Sequence, residues 1–436
     1  MQSKKIEDGI NGIINIPGDK SISHRSIIIP SISNGVCEVS NILKSEDVIN
    51  TLKAFESMGV KFEEFKEKLI IYGMGINSLK QSHNNIYLGN SGTSARLLIG
   101  LLASQKFNSI LTGDKSLSSR PMERIVEPLR LMNAKVETNN GKMPVKIYGK
   151  KLKNTEIIID VPSAQIKSGL ILAALNTDGK TKIIEKHTTR NHTEIMLESF
   201  KANIEVKKND NETEIHIIGK KELIPKNIDV PSDLSSSAFF IVAALINKNS
   251  EITINNVNIN ETRNGILFAL NKMGANIKLF NQRLLNNEKI ADINVRYSQL
   301  NGCDLDEDIA KLMIDEYPIL SIAAAFAKTP SVFRGLKELR VKESDRLNLI
   351  KINLEKCGCD CKIDNNNLFI YPSDKLKIKD KNIQTDFDHR IAMSFIVMGS
   401  KLGELNIKEP DSIKTSFPNF IKEFNKAGGK ILWRKK

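Results

Sequence analysis

The sequence predicts an α/β protein assembled from six copies of one supersecondary unit. Three observations predict it. Short stretches of small and polar residues recur six times and each leads into an apolar run. Their starts lie 72, 73, 69, 84 and 71 residues apart. A small residue followed by alternating residues recurs at the far end of each unit, as a helix cap followed by a strand would read.

The entry stretches are Ile16 to Ser21, Leu88 to Thr93, Val161 to Gln165, Val230 to Ser235, Ile314 to Pro318 and Thr385 to Arg390. Each reads as a strand, a tight Gly/Ser/Pro turn and a helix start. Such a start leaves backbone N–H groups pointing ahead of the helix, where an anion can sit. The runs that follow are apolar on every face, as in Ala238-Phe239-Phe240-Ile241-Val242-Ala243-Ala244-Leu245. A helix of that kind is buried. Next comes a loop motif ahead of an amphipathic, outer helix. Its copies are Lys44 to Asp47, Ser119 to Glu123, Thr189 to His192, Thr262 to Asn264, Val341 to Arg346 and Lys414 to Pro418. The caps are Gly59, Asn133, Lys201, Gly274, Gly358 and Gly428, each followed by a strand. Asn139-Asn140-Gly141 reads as a turn between two strands. The unit is therefore strand, helix, strand, loop, helix, strand, strand.

At 436 residues two domains or more are expected. No apolar run approaches the roughly 18–20 residues that cross a bilayer. The first residues carry no apolar signal core, so a cytoplasmic protein is expected. Five cysteines make no disulfide framework, and Cys357, Cys359 and Cys361 lack zinc-ribbon spacing. No metal site is expected. The net charge of +13 suits an anionic ligand or nucleic acid, but no aromatic-interleaved basic tract appears.

The chemistry-bearing residues gather at corresponding loops. Lys20, Ser21 and Arg25 open the first repeat, with Ser21 and Arg25 on one helix face. Asn90, Gly92 and Thr93 open the second, and Gly92 lets a ligand come close to the backbone. Arg120 follows a serine-rich loop, Ser163, Ala164 and Gln165 open the third repeat, and Arg190 lies in a loop. Lys342, Glu343 and Arg346 form a cluster, and Asp388, His389 and Arg390 open the sixth repeat. One surface arginine means little; the same repeat position filled repeatedly points to a ligand set with several negative charges. Asp315 and Glu343 stand among these cations, which suggests proton transfer.

Taken together, Pro17 to Arg25, Gly89 to Thr93, Arg120-Pro121-Met122, Asp315 to Pro318, Arg340 to Arg346 and Asp388-His389-Arg390 resemble the 5-enolpyruvylshikimate-3-phosphate synthase family, in order and along the whole chain. The resemblance implies the enolpyruvyl transferase fold, an inside-out α/β barrel of two domains with three βαβαββ units each. The domains expected are 21–228 and 1–20 plus 229–436, with the active site in the cleft between them. It implies that the 5-hydroxyl of shikimate 3-phosphate attacks C2 of phosphoenolpyruvate while C3 gains a proton; a tetrahedral intermediate then loses phosphate. Carried onto this chain, Lys20, Ser21, Arg25, Ser163, Ala164, Gln165, Arg190, Asp315 and Lys342 hold shikimate 3-phosphate. Lys20, Asn90, Gly92, Arg120, Gln165, Arg346 and Arg390 hold phosphoenolpyruvate. Asp315 is the base for the 5-hydroxyl, and Glu343 with Lys20 relays a proton to C3. No metal or organic cofactor, no nucleic acid and no membrane is implied, and a monomer is expected.

Some positions depart from parts of the family. Ala164 replaces a serine, Glu338 an asparagine, and Lys414 is one residue out of register with a phosphate-binding lysine. Gly92 stands where glyphosate-insensitive members carry alanine, so sensitivity is expected. The related transferase acting on UDP-N-acetylglucosamine usually carries a cysteine in the loop that here reads Leu117 to Pro121, and none occurs there. A polyanion-binding homologue without activity would have lost Lys20, Arg120, Asp315, Glu343 or Arg390, and all are present.

Overall fold

The computed structural model describes residues 1–209 and 212–433; positions 210–211 and 434–436 of the expected domains lie outside the described residues. The chain divides into two compact units. One unit, called continuous for its single long segment, is Gly18–Val230 with the short stretch Leu285–Glu288, and a discontinuous one comprises Met1–Pro17, Pro231–Leu284 and Lys289–Lys436. Six four-stranded sheets form among the described residues, three in each unit, and no closed barrel is among them.

The third repeat shows the plan. Glu156–Ile159 pairs parallel with Lys180–Glu185, which pairs antiparallel with Thr213–Ile218, and Asn203–Lys208 lies outermost. Ile157, Ile183 and Ile215 lie side by side in register and are all buried. The strand alternation predicted from sequence thus places one row of isoleucines in the core.

Two sheets take a strand from elsewhere in the chain. Asn11–Ile14 precedes the first buried helix but pairs with Glu251–Asn258 of the fourth repeat. The place it leaves beside Asn34–Ser40 is filled by Ile228–Asp229. In the sixth repeat Gln2–Lys4 lies between Leu405–Ile407 and Lys430–Leu432, antiparallel to both. It occupies the position that a hairpin strand holds in the other sheets.

Six inner helices follow the entry motifs: Lys20–Ser31, Gly92–Ala103, Ala164–Ala174, Leu234–Ile246, Tyr317–Ala325 and His389–Leu402. Leu234–Ile246 is buried at every position. Asp19, Ser91, Ser163, Asp233 and Asp388 cap five of them, each side-chain oxygen accepting from an N–H in the first turn. The caps after the outer helices all have positive φ, from 62° at Lys201 to 112° at Gly428. That is the left-handed residue that ends a helix. Asn140 and Gly141 have φ of 50° and 75°, as a tight hairpin turn requires.

The fifth repeat differs from the expected strand–turn–helix entry. A helix, Glu307–Met313, stands between the strand Asp304–Leu305 and Tyr317–Ala325. Asp306 starts it by accepting from the N–H groups of Asp308 and Ile309. This insertion, together with the longer hairpin strands Asn276–Leu285 and Glu288–Arg296, accounts for the 84-residue spacing. The loop before Arg120 likewise contains a short helix, Lys115–Ser119, started by Asp114.

Each unit has its own hydrophobic cluster built around its three inner helices. Burial pushes the Cys303 thiol up to about 11 and Cys357, Cys359 and Cys361 up to about 12, so they pack as apolar groups.

Candidate active site

In the continuous unit the residues expected to bind gather at the starts of three inner helices. Lys20 lies in the first turn of Lys20–Ser31, and its ammonium is 2.5 Å from Oδ2 of the buried Asp47. Arg25 is one turn on and buried. It donates to Thr193 Oγ1 at 2.6 Å, Ser168 Oγ at 2.7 Å and the Ser21 carbonyl at 2.8 Å. All three acceptors are neutral. Burial is the main reason its pKa falls to about 10, and the charge of Arg190 lowers it further. Glu194 and Asp19 oppose that fall. Arg190 is therefore near Arg25, in the segment joining Lys180–Glu185 to the outer helix His192–Ser199.

Gln165 is held from two sides. Arg96 donates to its Oε1 at 2.7 Å, and its own Nε2 donates to Thr93 Oγ1 at 3.0 Å. Arg120 donates to Asn90 Oδ1 and, at 3.2 Å, to Ser116 Oγ. A Cβ placed on Gly92 would lie 2.8 Å from Arg96 Nη1 and 3.1 Å from Arg120 Nη1. Gly92 is thus the gap beside two guanidinium ends. Ser163 caps its helix, and Ala164 follows it with only a methyl group.

Near Lys20 and Arg25 lies a neutral cluster. His24 Nδ1 is 2.8 Å from Thr51 Oγ1 and 3.3 Å from Ser94 Oγ. Burial, then the charges of Lys20 and Arg25, holds this imidazole well below its usual pKa.

In the discontinuous unit one buried guanidinium organises the carboxylates. Arg346 donates to Asp388 Oδ2 at 2.8 Å, Asp315 Oδ1 at 3.1 Å and Glu343 Oε2 at 2.5 Å. Burial alone would lower its pKa; the three carboxylates outweigh that and raise it. Burial would likewise raise Asp388, but Arg346 holds it below the usual carboxylate value. Lys342 Nζ is 3.4 Å from Asp315 Oδ1. Arg390 donates to the Asp315 carbonyl at 3.1 Å and to Glu316 Oε1 at 3.4 Å. Asp388 also accepts from the Arg390 N–H and the Ser344 hydroxyl. Asp315, Glu343 and Asp388 are thereby fixed to the cations Arg346, Lys342 and Arg390 in a single unit.

Several of the residues that sequence reasoning passed over are in these networks. Glu316 is buried, accepts from Ser235 and Arg390, and does not use its side chain as a helix cap. Arg263 donates to Ser235 Oγ at 2.7 Å and Asp233 Oδ1 at 2.9 Å. Its signal was its repeat position, which matches that of Arg190. Arg96 and Lys167 are charges inside helices that are otherwise mainly apolar, which was also legible. Among the positions that depart from the family, Lys414 pairs with Asp411 at 2.7 Å on the surface, and Glu338 is half-buried in the short 3-10 helix Leu336–Val341. Arg340 is tied to Asn366, the Asn365 carbonyl and Asp345.

Residues 4–424 match the family described as EPSP synthase (3-phosphoshikimate 1-carboxyvinyltransferase). The chain is 44% identical over 436 residues to the 3-phosphoshikimate 1-carboxyvinyltransferase of Ruthia magnifica subsp. Calyptogena magnifica, covering 98% of each. It is 45% identical over 419 residues to that of Legionella pneumophila (strain Corby), covering 95% of each. It superposes on the solved EPSP synthase of Acinetobacter baumannii with a TM-score of 0.85 at 42% identity, over 98% of both chains. The enolpyruvyl transferase NikO from Streptomyces tendae, at 14% identity and a TM-score of 0.78 over 98% and 97%, shares the fold.

Proposed function

Because the chain belongs to the EPSP synthase family and transfers the enolpyruvyl group of phosphoenolpyruvate to shikimate 3-phosphate, a step of the shikimate pathway, we propose that the two residue clusters described above are the two halves of its active site. In this reading the domains are 21–228 and 1–20 plus 229–436, and each contributes groups to both substrates. Lys20, Ser21, Arg25, Ser163, Ala164, Gln165, Arg190, Asp315 and Lys342 receive shikimate 3-phosphate. Lys20, Asn90, Gly92, Arg120, Gln165, Arg346 and Arg390 receive phosphoenolpyruvate. The cations offset the repulsion between two anions brought together.

The chemistry follows from the carboxylates. Asp315 accepts the proton of the 5-hydroxyl as its oxygen bonds to C2 of phosphoenolpyruvate. Glu343, with Lys20, delivers a proton to C3, which gives a tetrahedral intermediate. Loss of a C3 proton and of phosphate from C2 restores the double bond on the new ether. The observation that carries this reading is that Arg346 holds Asp315 and Glu343 on one buried guanidinium. Both are thereby kept close to the groups that would anchor phosphoenolpyruvate.

We read the protein as a monomer, because every proposed group comes from one chain. Sedimentation as a 48.8 kDa species would support this, and a dimer would overturn it. The acceptor is tested by phosphate release from phosphoenolpyruvate with shikimate 3-phosphate or UDP-N-acetylglucosamine. Release is expected only with shikimate 3-phosphate. Release with the sugar nucleotide would overturn the assignment of the acceptor groups.

A further inference from the structure

The inner helix Ala164–Ala174 carries one side chain that the proposed chemistry does not use. Lys167 is buried, with 1% of its side chain exposed. Its ammonium is 2.8 Å from Glu194 Oε1 and 3.1 Å from Glu185 Oε2, and it donates to the Thr189 carbonyl at 3.3 Å. Three donors thus meet three acceptors. Both carboxylates are buried as well, and the Thr189 hydroxyl closes the network by donating to Glu185 Oε1. Burial would lower the pKa of Lys167, but Glu194 and Glu185 outweigh it and raise it.

The positions of these contacts matter. Glu185 ends a strand, Glu194 lies in the first turn of the outer helix, and Thr189 immediately precedes Arg190. One ammonium therefore pins both ends and the middle of the segment 186–191. The residues next to this network aim Arg25: Ser168 follows Lys167, Thr193 precedes Glu194, and both hydroxyls accept from the Arg25 guanidinium. They also bond each other at 2.7 Å. Glu194 is the group that does most to favour the charged form of Arg25.

We propose that Lys167 is a positioning residue for shikimate 3-phosphate: its ammonium, clamped between Glu185 and Glu194, fixes the segment that carries Arg190 and the hydroxyl pair that aims Arg25. A buried ion network of this kind specifies geometry, since removing its cation leaves two carboxylates facing each other in the core. The inference rests on the reading that Arg25 and Arg190 contact shikimate 3-phosphate.

The test is the dissociation constant of shikimate 3-phosphate by titration calorimetry on the full chain, with both KM values and the melting midpoint. Lys167→Met is expected to weaken shikimate 3-phosphate at least tenfold and to change the KM for phosphoenolpyruvate less than twofold. Lys167→Arg, which keeps the charge, is expected to recover most of the affinity. A melted or partly inactive protein would lower kcat with KM unchanged, so the split separates positioning from bulk stability. If Lys167→Met does not fold, Glu185→Gln keeps the shape and is expected to weaken binding about threefold. Affinity within twofold of the parent in the folded variant overturns the proposal. Arg25→Ala and Arg190→Ala distinguish the two failures. If they weaken binding and the Lys167 variant does not, only the positioning role falls; if they too leave it unchanged, the assignment of the site falls and takes the proposal with it.

Discussion

Glu343 and Asp315 share a cation but differ in what else they touch, and this bears on their separate roles. Asp315 also faces Lys342, and its backbone carbonyl accepts from Arg390. Replacing either by its amide keeps the shape and removes the carboxylate that the proposed mechanism needs to carry a proton. Asp315→Asn and Glu343→Gln are each expected to lower kcat by roughly 10²–10⁴-fold. A change in KM alone, with kcat intact, would remove that residue from the proton path. At Gly92 the distances decide the outcome. The new methyl of Gly92→Ala meets only the ends of Arg96 and Arg120, so the fold persists and the guanidinium groups shift. The expected result is a KM for phosphoenolpyruvate about tenfold higher, equivalent to one charge-assisted hydrogen bond, together with loss of the glyphosate inhibition expected of the parent. An inhibition titration checks this, and equal sensitivity in both proteins would sink it. These residues were legible as types at repeated positions, but their partners were not. Nothing in the order of residues pairs Gln165 with Arg96, since that contact joins two helices 69 residues apart.

Element by element, the caps carry the clearest sequence signal. A residue with positive φ ends each outer helix, and Gly or Asn supplies it five times out of six. Lys201, at φ 62°, is the exception and bears the steric cost of a Cβ there. Lys201→Gly is expected to stabilise the continuous unit by about 0.5–1 kcal/mol. The midpoint of urea unfolding measures it, and a lower midpoint would contradict the strain. The extra helix Glu307–Met313 was hidden because an entry motif reads the same whether a strand or a helix precedes it. The substituted strands Asn11–Ile14, Ile228–Asp229 and Gln2–Lys4 were hidden for a different reason. A strand's sequence specifies its two faces, and any neighbour of matching pattern can pair with it.

For the whole molecule, acid is the revealing variable, because the buried groups of both units respond to it. His24 is neutral in the fold, whereas in the unfolded chain it titrates near pH 6.5. Its depressed pKa therefore contributes stability that is complete above about pH 6.5 and is lost as pH falls from there toward the folded value. Asp388 adds a second loss, at lower pH, as its depressed carboxyl takes up a proton. The melting midpoint of the continuous unit is expected to fall between pH 7 and pH 5, and His24→Asn to flatten that slope. An unchanged slope in the variant would place the titration elsewhere. The sequence by itself determined the number of repeats, the order of elements they share (though not the added helices Glu307–Met313 and Lys115–Ser119), the burial of the inner helices and the residue types at each helix start. Those depend on local periodicity, caps and turns, which act within a few residues of one another. The tertiary structure decided which strand completes each sheet, that Arg346 gathers three carboxylates, and that Lys167 clamps the segment before Arg190. Such contacts join residues far apart in the chain, and only packing around a shared core selects one partner among many of the same chemistry.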